Sequence, residues 1–174
     1  MEHPFSQFKY CPKCGSVHFE INNEKSKRCA NCEFVYYFNP SAATVALIMN
    51  ERNELLVCRR AKDPAKGTLD LPGGFIDMAE TGEEGVSREV KEETGLDVTN
   101  AEGGFLFSYH RENPGEGDNY FVDVYKYHMD FTEEDIKLQT EETNAFQIAD
   151  AAQLSEYDKQ GIFLHYQSIK QALQ

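Results

Sequence analysis

Gly73-Gly74-Phe75-Ile76-Asp77-Met78-Ala79-Glu80 leads through Thr81-Gly82-Glu83-Glu84-Gly85-Val86-Ser87 into Arg88-Glu89-Val90-Lys91-Glu92-Glu93-Thr94-Gly95-Leu96. The stretch reads as a glycine-rich loop opening a helix over 82–94. Thr81 is placed to act as N-cap with Glu84 three positions into the helix, a reciprocal capping box. Gly95 supplies the left-handed stop. At about 100° per residue, Glu92 lies about −60° and Glu93 about +40° from Glu89, so the three carboxylates share one face. Gly85 falls on nearly the same azimuth and is expected to leave that face open one turn earlier. Val86 and Val90 lie to one side and give the helix an edge to pack.

Three neighbouring carboxylates are costly. Two like charges 4 Å apart repel by ~4 kcal/mol at an effective dielectric near 20. Either the side chains splay into water, as on most acidic helix faces, or a cation binds between them. Here the cluster follows a glycine-rich loop and includes Arg88, which can hold one carboxylate through a bidentate contact. An all-oxygen set favours Mg²⁺ or Mn²⁺.

Outward from this segment the chain alternates strand and turn signals. Ala42–Met49 (AATVALIM) is a continuous apolar run suited to a strand covered on both faces. Residues 51–54 form a turn and Leu55–Arg60 (LLVCRR) the return strand. Residues 61–70 read as a polar loop with Pro64 and Gly67. Strands are expected near 103–111 and 120–130, separated by the acidic loop ENPGEGDN at 112–119, and another near 145–149. A final helix should carry Ile162, Phe163, Tyr166, Ile169 and Leu173 as a core-facing stripe. Neither internal repeats nor low-complexity tracts occur.

The first 39 residues differ in kind. Cys11-Pro-Lys-Cys14 and Cys29-Ala-Asn-Cys32 give C-x₂-C-x₁₄-C-x₂-C, two knuckles able to present four thiolates to one Zn²⁺. So short a segment has too little core to fold without a staple. Disulfides or a redox pair are the alternatives, and both fit poorly with a reducing cytoplasm. Gly15 permits the tight turn of the first knuckle, and Val17–Ile21 and Phe34–Phe38 are the expected ribbon strands. His18 reads as a surface histidine and Cys58 as a core residue in its strand. Asn39-Pro40 marks the boundary between a zinc ribbon over 1–39 and a second domain over 40–174.

Charge narrows the function. Of 174 residues, those in 1–39 carry five Lys/Arg against four Asp/Glu, or +1, and the remainder twelve against twenty-six, or −14. Neither part has the basic stripe of a nucleic-acid binder, so no nucleic-acid partner is expected. An acidic body would repel a polyphosphate unless cations intervened. With neither a signal peptide nor an apolar membrane span, the sequence reads as soluble and cytoplasmic, and it leaves room for a homodimer.

The pattern G-x₅-E-x₇-R-E-U-x-E-E-x-G-U (U apolar), complete from Gly74 through Leu96, resembles the Nudix box. The approach segment CRRAKDPAKGTLDLPGGFID is similar to that of Nudix proteins bearing a zinc ribbon, where tryptophan often stands in place of Leu69. The resemblance implies an α/β fold, an α/β/α sandwich with a mixed sheet preceded by the ribbon. It also implies magnesium-dependent hydrolysis of a nucleoside diphosphate linked to another group. By matching position, Glu89, Glu92 and Glu93 would ligate metal with the Gly74 carbonyl, Arg88 would orient Glu89, and Glu80 would support them. Glu141 and Glu142 stand where many relatives carry a general base, although a solvated loop is an equal reading. ADP-ribose or a nucleotide sugar is the preferred substrate, since the S-Q-P-W-type motif of NADH pyrophosphatases does not follow the box. A dinucleotide pyrophosphatase, or a sensing or docking module without catalysis, are the alternatives. Arg59 and Arg60 point to opposite faces of their strand, so at most one meets the substrate. Phe105, Phe107, Tyr109, Tyr120 and Phe121 are expected mostly in the core. Glu112, Glu116 and Asp118 would suit sugar hydroxyls or plain solvent.

Overall fold

The turns around the cysteine pairs leave room for only short strands. In the computed structural model, which describes residues 6–63, 65–113, 118–139 and 141–173, these are β1 (Phe19–Asn23), β2 (Ser26–Cys29) and β3 (Val35–Tyr37), antiparallel in that order. β2, which carries Cys29, has no apolar run to announce it in the sequence. Cys11, Phe19 and Cys29 are buried, with Cys32 and Phe34 packed against them. The chain divides into two compact units, Met1–Pro40 and Ser41–Gln174.

The second unit is built on β4 (Ser41–Met49), whose alternate side chains feed two cores. Val45, Leu47 and Met49 pack with Leu154 of α2 (Ala151–Lys159) and Ile169 of α3 (Tyr166–Ile169). Ala46 and Ile48 pack on the other face with Val86 and Val90 of α1 (Gly82–Thr94). The remaining strands are β5 (Leu55–Arg60), β6 (Leu69–Asp70), β7 (Gly73–Phe75), β8 (Glu102–Asn113), β9 (Asp118–His128) and β10 (Thr143–Ala149). The main path runs β10-β5-β4-β9-β8, parallel between β4 and β9 and antiparallel elsewhere. This is the expected α/β/α sandwich on a mixed sheet.

One irregularity makes the site. β4 and β5 pair only through Met49 and Leu55. Beyond that point β4 takes β7 as partner and β5 takes β6, so the two central strands diverge. The Ala46 N–H donates to the Pro72 carbonyl at 2.8 Å, which ties the β6–β7 connection into the opening.

Several expectations need correction. The C-terminal stripe does not lie on one helix. α2 ends before Gly161, whose φ of 71° turns the chain, and Ile162–Leu164 runs extended beside β6. There Leu69 N–H donates to the Ile162 carbonyl (2.6 Å) and Leu164 N–H to the Leu69 carbonyl (3.2 Å). The stripe residues nevertheless join the core, because Phe163 and Ile169 are buried and Ile162, Tyr166 and Leu173 cover them. The acidic loop shrinks because β8 and β9 stay paired as far as Asn113 and Asp118. Glu112 is therefore an exposed strand residue, and Glu116, like Pro64, lies outside the described residues. Phe105 and Phe121 are 54% and 45% exposed, whereas Phe107, Tyr109 and Tyr120 pack on the core. Gly85 is not an opening in the helix face: it is buried with Ile76 and the Glu80 carboxylate within van der Waals reach. No helix among the described residues is long and apolar enough to cross a membrane.

Candidate active site

Helix α1 is fixed at both ends and along one edge. Thr81 and Glu84 form the capping box, the Gly95 N–H closes on Lys91 with φ 76°, and Val86 and Val90 have no exposed surface. Arg88 is the hub of the face so presented. It holds Glu80 bidentately (2.7 and 3.0 Å), and its Nη1 donates to Glu89 (2.8 Å) and Glu92 (3.2 Å). Its Nη2 donates to the Phe75 carbonyl at 3.1 Å. The bidentate partner is thus Glu80, with Glu89 held by a single hydrogen bond. Glu93 turns to the loop and accepts the Gly73 N–H at 3.0 Å.

The two glycines are required by close approach. A β-carbon at Gly74 would fall 2.5 Å from the carboxyl carbon of Glu89, so that carboxylate lies directly on the loop backbone. At Gly73, with φ 153°, a β-carbon would overlap the Thr44 carbonyl.

Electrostatics separates the carboxyls. Burial pushes Glu93 up to about 8 despite the Gly73 N–H, and neighbouring Glu89 pushes it the same way. Burial also raises Glu89, against the pull of Arg88. Glu80 is held low, chiefly by Arg88. Glu89, Glu92 and Glu93 share a face but do not close on a common point. Among the described residues, the only group of three or more ligand atoms drawn within 4.8 Å of one another is that of the four cysteines.

The face opens on a cavity of about 890 Å³, a size suited to a nucleotide-class ligand. Gly73, Gly74, Arg88, Glu89 and Glu93 line one part of its wall. Arg60, Asp70, Arg111, Tyr120, Leu164 and His165 line another. Glu142 also reaches it and pairs with Lys62 at 3.2 Å; Glu141, exposed like Glu142, does not line it. Arg59 turns away to donate to the Gly67 carbonyl at 2.5 Å, leaving Arg60 as the arginine of β5 on the cavity.

Residues 39–170 match the NUDIX domain family. The chain belongs to the Nudix family. Among curated Nudix relatives, the NAD-capped RNA hydrolase NudC of Vibrio atlanticus is 31% identical over 98 residues, which cover 56% of this chain and 36% of that protein. The ADP-ribose pyrophosphatase of Methanocaldococcus jannaschii is 47% identical over 60 residues, 34% of this chain and 35% of the relative. The matched segments therefore span little more than a third of these relatives' length. The NUDIX domain of Shewanella oneidensis NrtR, crystallised with ADP ribose, shares the fold with a TM-score of 0.63 at 21% identity, covering 78% of this chain and 88% of that one.

Asp70, His165, Arg111 and Lys62 are Nudix-domain cavity residues that sequence reasoning passed over. Asp70 stood in a predicted loop and His165 in a predicted helix, and neither position carries a local signal for the cavity. In the other unit, Cys11 and Cys32 Sγ atoms lie 3.7 Å apart and those of Cys14 and Cys29 3.6 Å apart, all four thiols being free. Cys14 is lowered to about 6, first by the Ser16 backbone N–H. His18 is exposed and outside this group. Four gathered sulfurs could hold one tetrahedral Zn²⁺.

Proposed function

We propose that this Nudix domain hydrolyses a diphosphate bond in a nucleoside diphosphate linked to a further group, ADP-ribose or a nucleotide sugar in the first instance, with Mg²⁺ or Mn²⁺. The observation that carries the reading is the Glu89 carboxylate seated on Gly74 at the cavity wall, with Glu92 on the same arginine and Glu93 on the Gly73 N–H. The donor set fits a hard divalent cation. It is all oxygen, and with no β-carbon at Gly74 the Glu89 carboxylate lies directly against the loop that carries the Gly74 carbonyl. Glu89, Glu92, Glu93 and the Gly74 carbonyl would hold the ion. When bound, it would neutralise the diphosphate and lower the pKa of an attacking water.

The chain's own residues do the rest. Arg88 keeps Glu89 and Glu92 from splaying, and Glu80 keeps Arg88 in place. Glu142 is the better candidate for the base that takes the water's proton, because it lines the cavity and Glu141 does not. Similarity to a relative named ADP-ribose pyrophosphatase supports the substrate class. Similarity to relatives named NudC favours a dinucleotide reading, against which stands the missing S-Q-P-W-type segment. The intact box carboxylates count against a non-catalytic sensing or docking role.

The test compares kcat/KM for ADP-ribose and NADH at equal Mg²⁺. Preference for ADP-ribose is expected; preference for NADH overturns the substrate assignment and leaves hydrolysis standing. Glu92→Gln and Glu93→Gln should each lower kcat by at least ~100-fold with the melting transition retained, and near-normal rates in either would remove the assigned metal site. Glu142→Gln should slow the reaction and Glu141→Gln should not. For residues 1–39 the proposal is a zinc ribbon held by Cys11, Cys14, Cys29 and Cys32. It expects one zinc per chain in protein purified without added metal.

A further inference from the structure

Part of the cavity wall is organised by a part-buried chain of hydrogen bonds that hydrolysis as described does not use. Asp70 on β6 is 14% exposed at its side chain and His165 only 9%. His165 Nε2 lies 2.8 Å from Asp70 Oδ1, and its Nδ1 lies 2.8 Å from the Tyr109 hydroxyl. The other carboxylate oxygen of Asp70 accepts from Arg60 Nη1 at 2.9 Å, and Oδ1 also accepts the Leu71 N–H at 2.8 Å. An ionised carboxylate can only accept, so Nε2 carries a proton, and Nδ1 accepts from the Tyr109 hydroxyl in the neutral ring or donates to it in the imidazolium. The contacts therefore link Tyr109 through His165 to Asp70, and Arg60 stands at the end of the series. Arg60 is also its most exposed member, at 37%.

This arrangement is expensive if it serves packing alone. A buried ion pair recovers its desolvation cost only with additional hydrogen bonds, and apolar side chains of similar volume often serve stability as well or better. What it does provide is position. A guanidinium on a long stem is held at one place on a cavity wall, and the carboxylate and imidazole behind it are largely withdrawn from water. The carboxylate part of the same cavity repels a diphosphate, so a fixed cation elsewhere on the wall is what an anionic ligand requires.

We propose that Arg60 binds a phosphate oxygen of the substrate's diphosphate, and that Tyr109, His165 and Asp70 are positioning residues that act through it. The proposal rests on the substrate class inferred above. It also gives a role to the extended Ile162–Leu164 segment, whose bonds to Leu69 bring His165 to Asp70.

The experiment measures binding apart from turnover, with the α,β-methylene analogue of ADP-ribose titrated calorimetrically into the full chain with Mg²⁺. Arg60→Gln should weaken binding at least tenfold, and Arg60→Lys should recover part of that. Tyr109→Phe and His165→Phe should each weaken binding several-fold in the native background and have no further effect beside Arg60→Gln, because residues acting through one group are not additive. With ADP-ribose itself, Arg60→Gln should raise KM much more than it lowers kcat. Tyr109→Phe removes one hydroxyl and keeps the ring, so it reports even where His165→Phe fails to fold. Binding by Arg60→Gln within twofold of native overturns the proposal. Equal losses from Tyr109→Phe in both backgrounds overturn the relay. Failure of the native chain to bind the analogue at all sinks the substrate class, and this inference with it.

Discussion

At Gly74 the absence of one methyl group decides whether Glu89 can lie on the loop backbone. Gly74→Ala should therefore displace that carboxylate and lower kcat by at least ~100-fold, since metal charge and water activation are lost together. Thermal melting should move little, as the change is local to the cavity wall. A variant with kcat within threefold of native would show that the contact is incidental. Asp70 gives a different signature. Burial alone would raise its pKa, but hydrogen bonds and charge from His165, then Arg60 and the Leu71 N–H, outweigh burial and hold it below the ordinary carboxylate value. A carboxyl lowered in the folded state contributes stability that is present above its unfolded pKa of about 3.9 and is lost as pH falls through its folded value. Asp70→Asn should flatten that acid limb in denaturant titrations run from pH 7 down to pH 3. At neutral pH it should cost about 3 kcal/mol, the scale of breaking one side of a buried pair. An unchanged acid limb would show that Asp70 contributes nothing to it.

Helix α1 was legible element by element, from the Thr81–Glu84 box to the Gly95 stop, because capping and a 3.6-residue period are local properties. Thr81→Ala should cost about 1 kcal/mol by urea unfolding. Val90→Ala, at a fully buried position, should cost about 2 kcal/mol. A larger loss from Thr81 than from Val90 would mean that the helix is held by its cap and not by its packing. β4 was legible for a related reason, its run of apolar residues being covered on both faces. β2, β6 and β7 were not, since strands of two to four residues carry too few side chains to set a period. The C-terminal stripe misled in its secondary structure though not in its burial. Ile162 and Phe163 are apolar because they face the core, and they face it from an extended segment bonded to Leu69 and not from a helical turn.

Across the whole molecule, the two units have separate cores of very different size. Among the described residues, the buried hydrophobic core of the first is Cys11, Phe19 and Cys29, too small to hold a fold without a staple. A chelator that removes zinc should therefore abolish the structure of Met1–Pro40, read by hydrogen exchange of its amides, while the main thermal transition of Ser41–Gln174 and hydrolysis persist. Full exchange protection of the first unit in metal-free protein would rule the staple out. The Nudix box, the Thr81-to-Gly95 helix and the cysteine spacing were set by sequence alone, because each is a matter of which side chains recur within a few turns. That Arg60 and not Arg59 meets the cavity, that Glu142 and not Glu141 lines it, and that His165 reaches Asp70 were decided only in the tertiary structure. These depend on where β4 and β5 part and on which segments then lie beside β6. Pairing between distant segments is set by the shared burial of many side chains, and no local stretch of sequence encodes it.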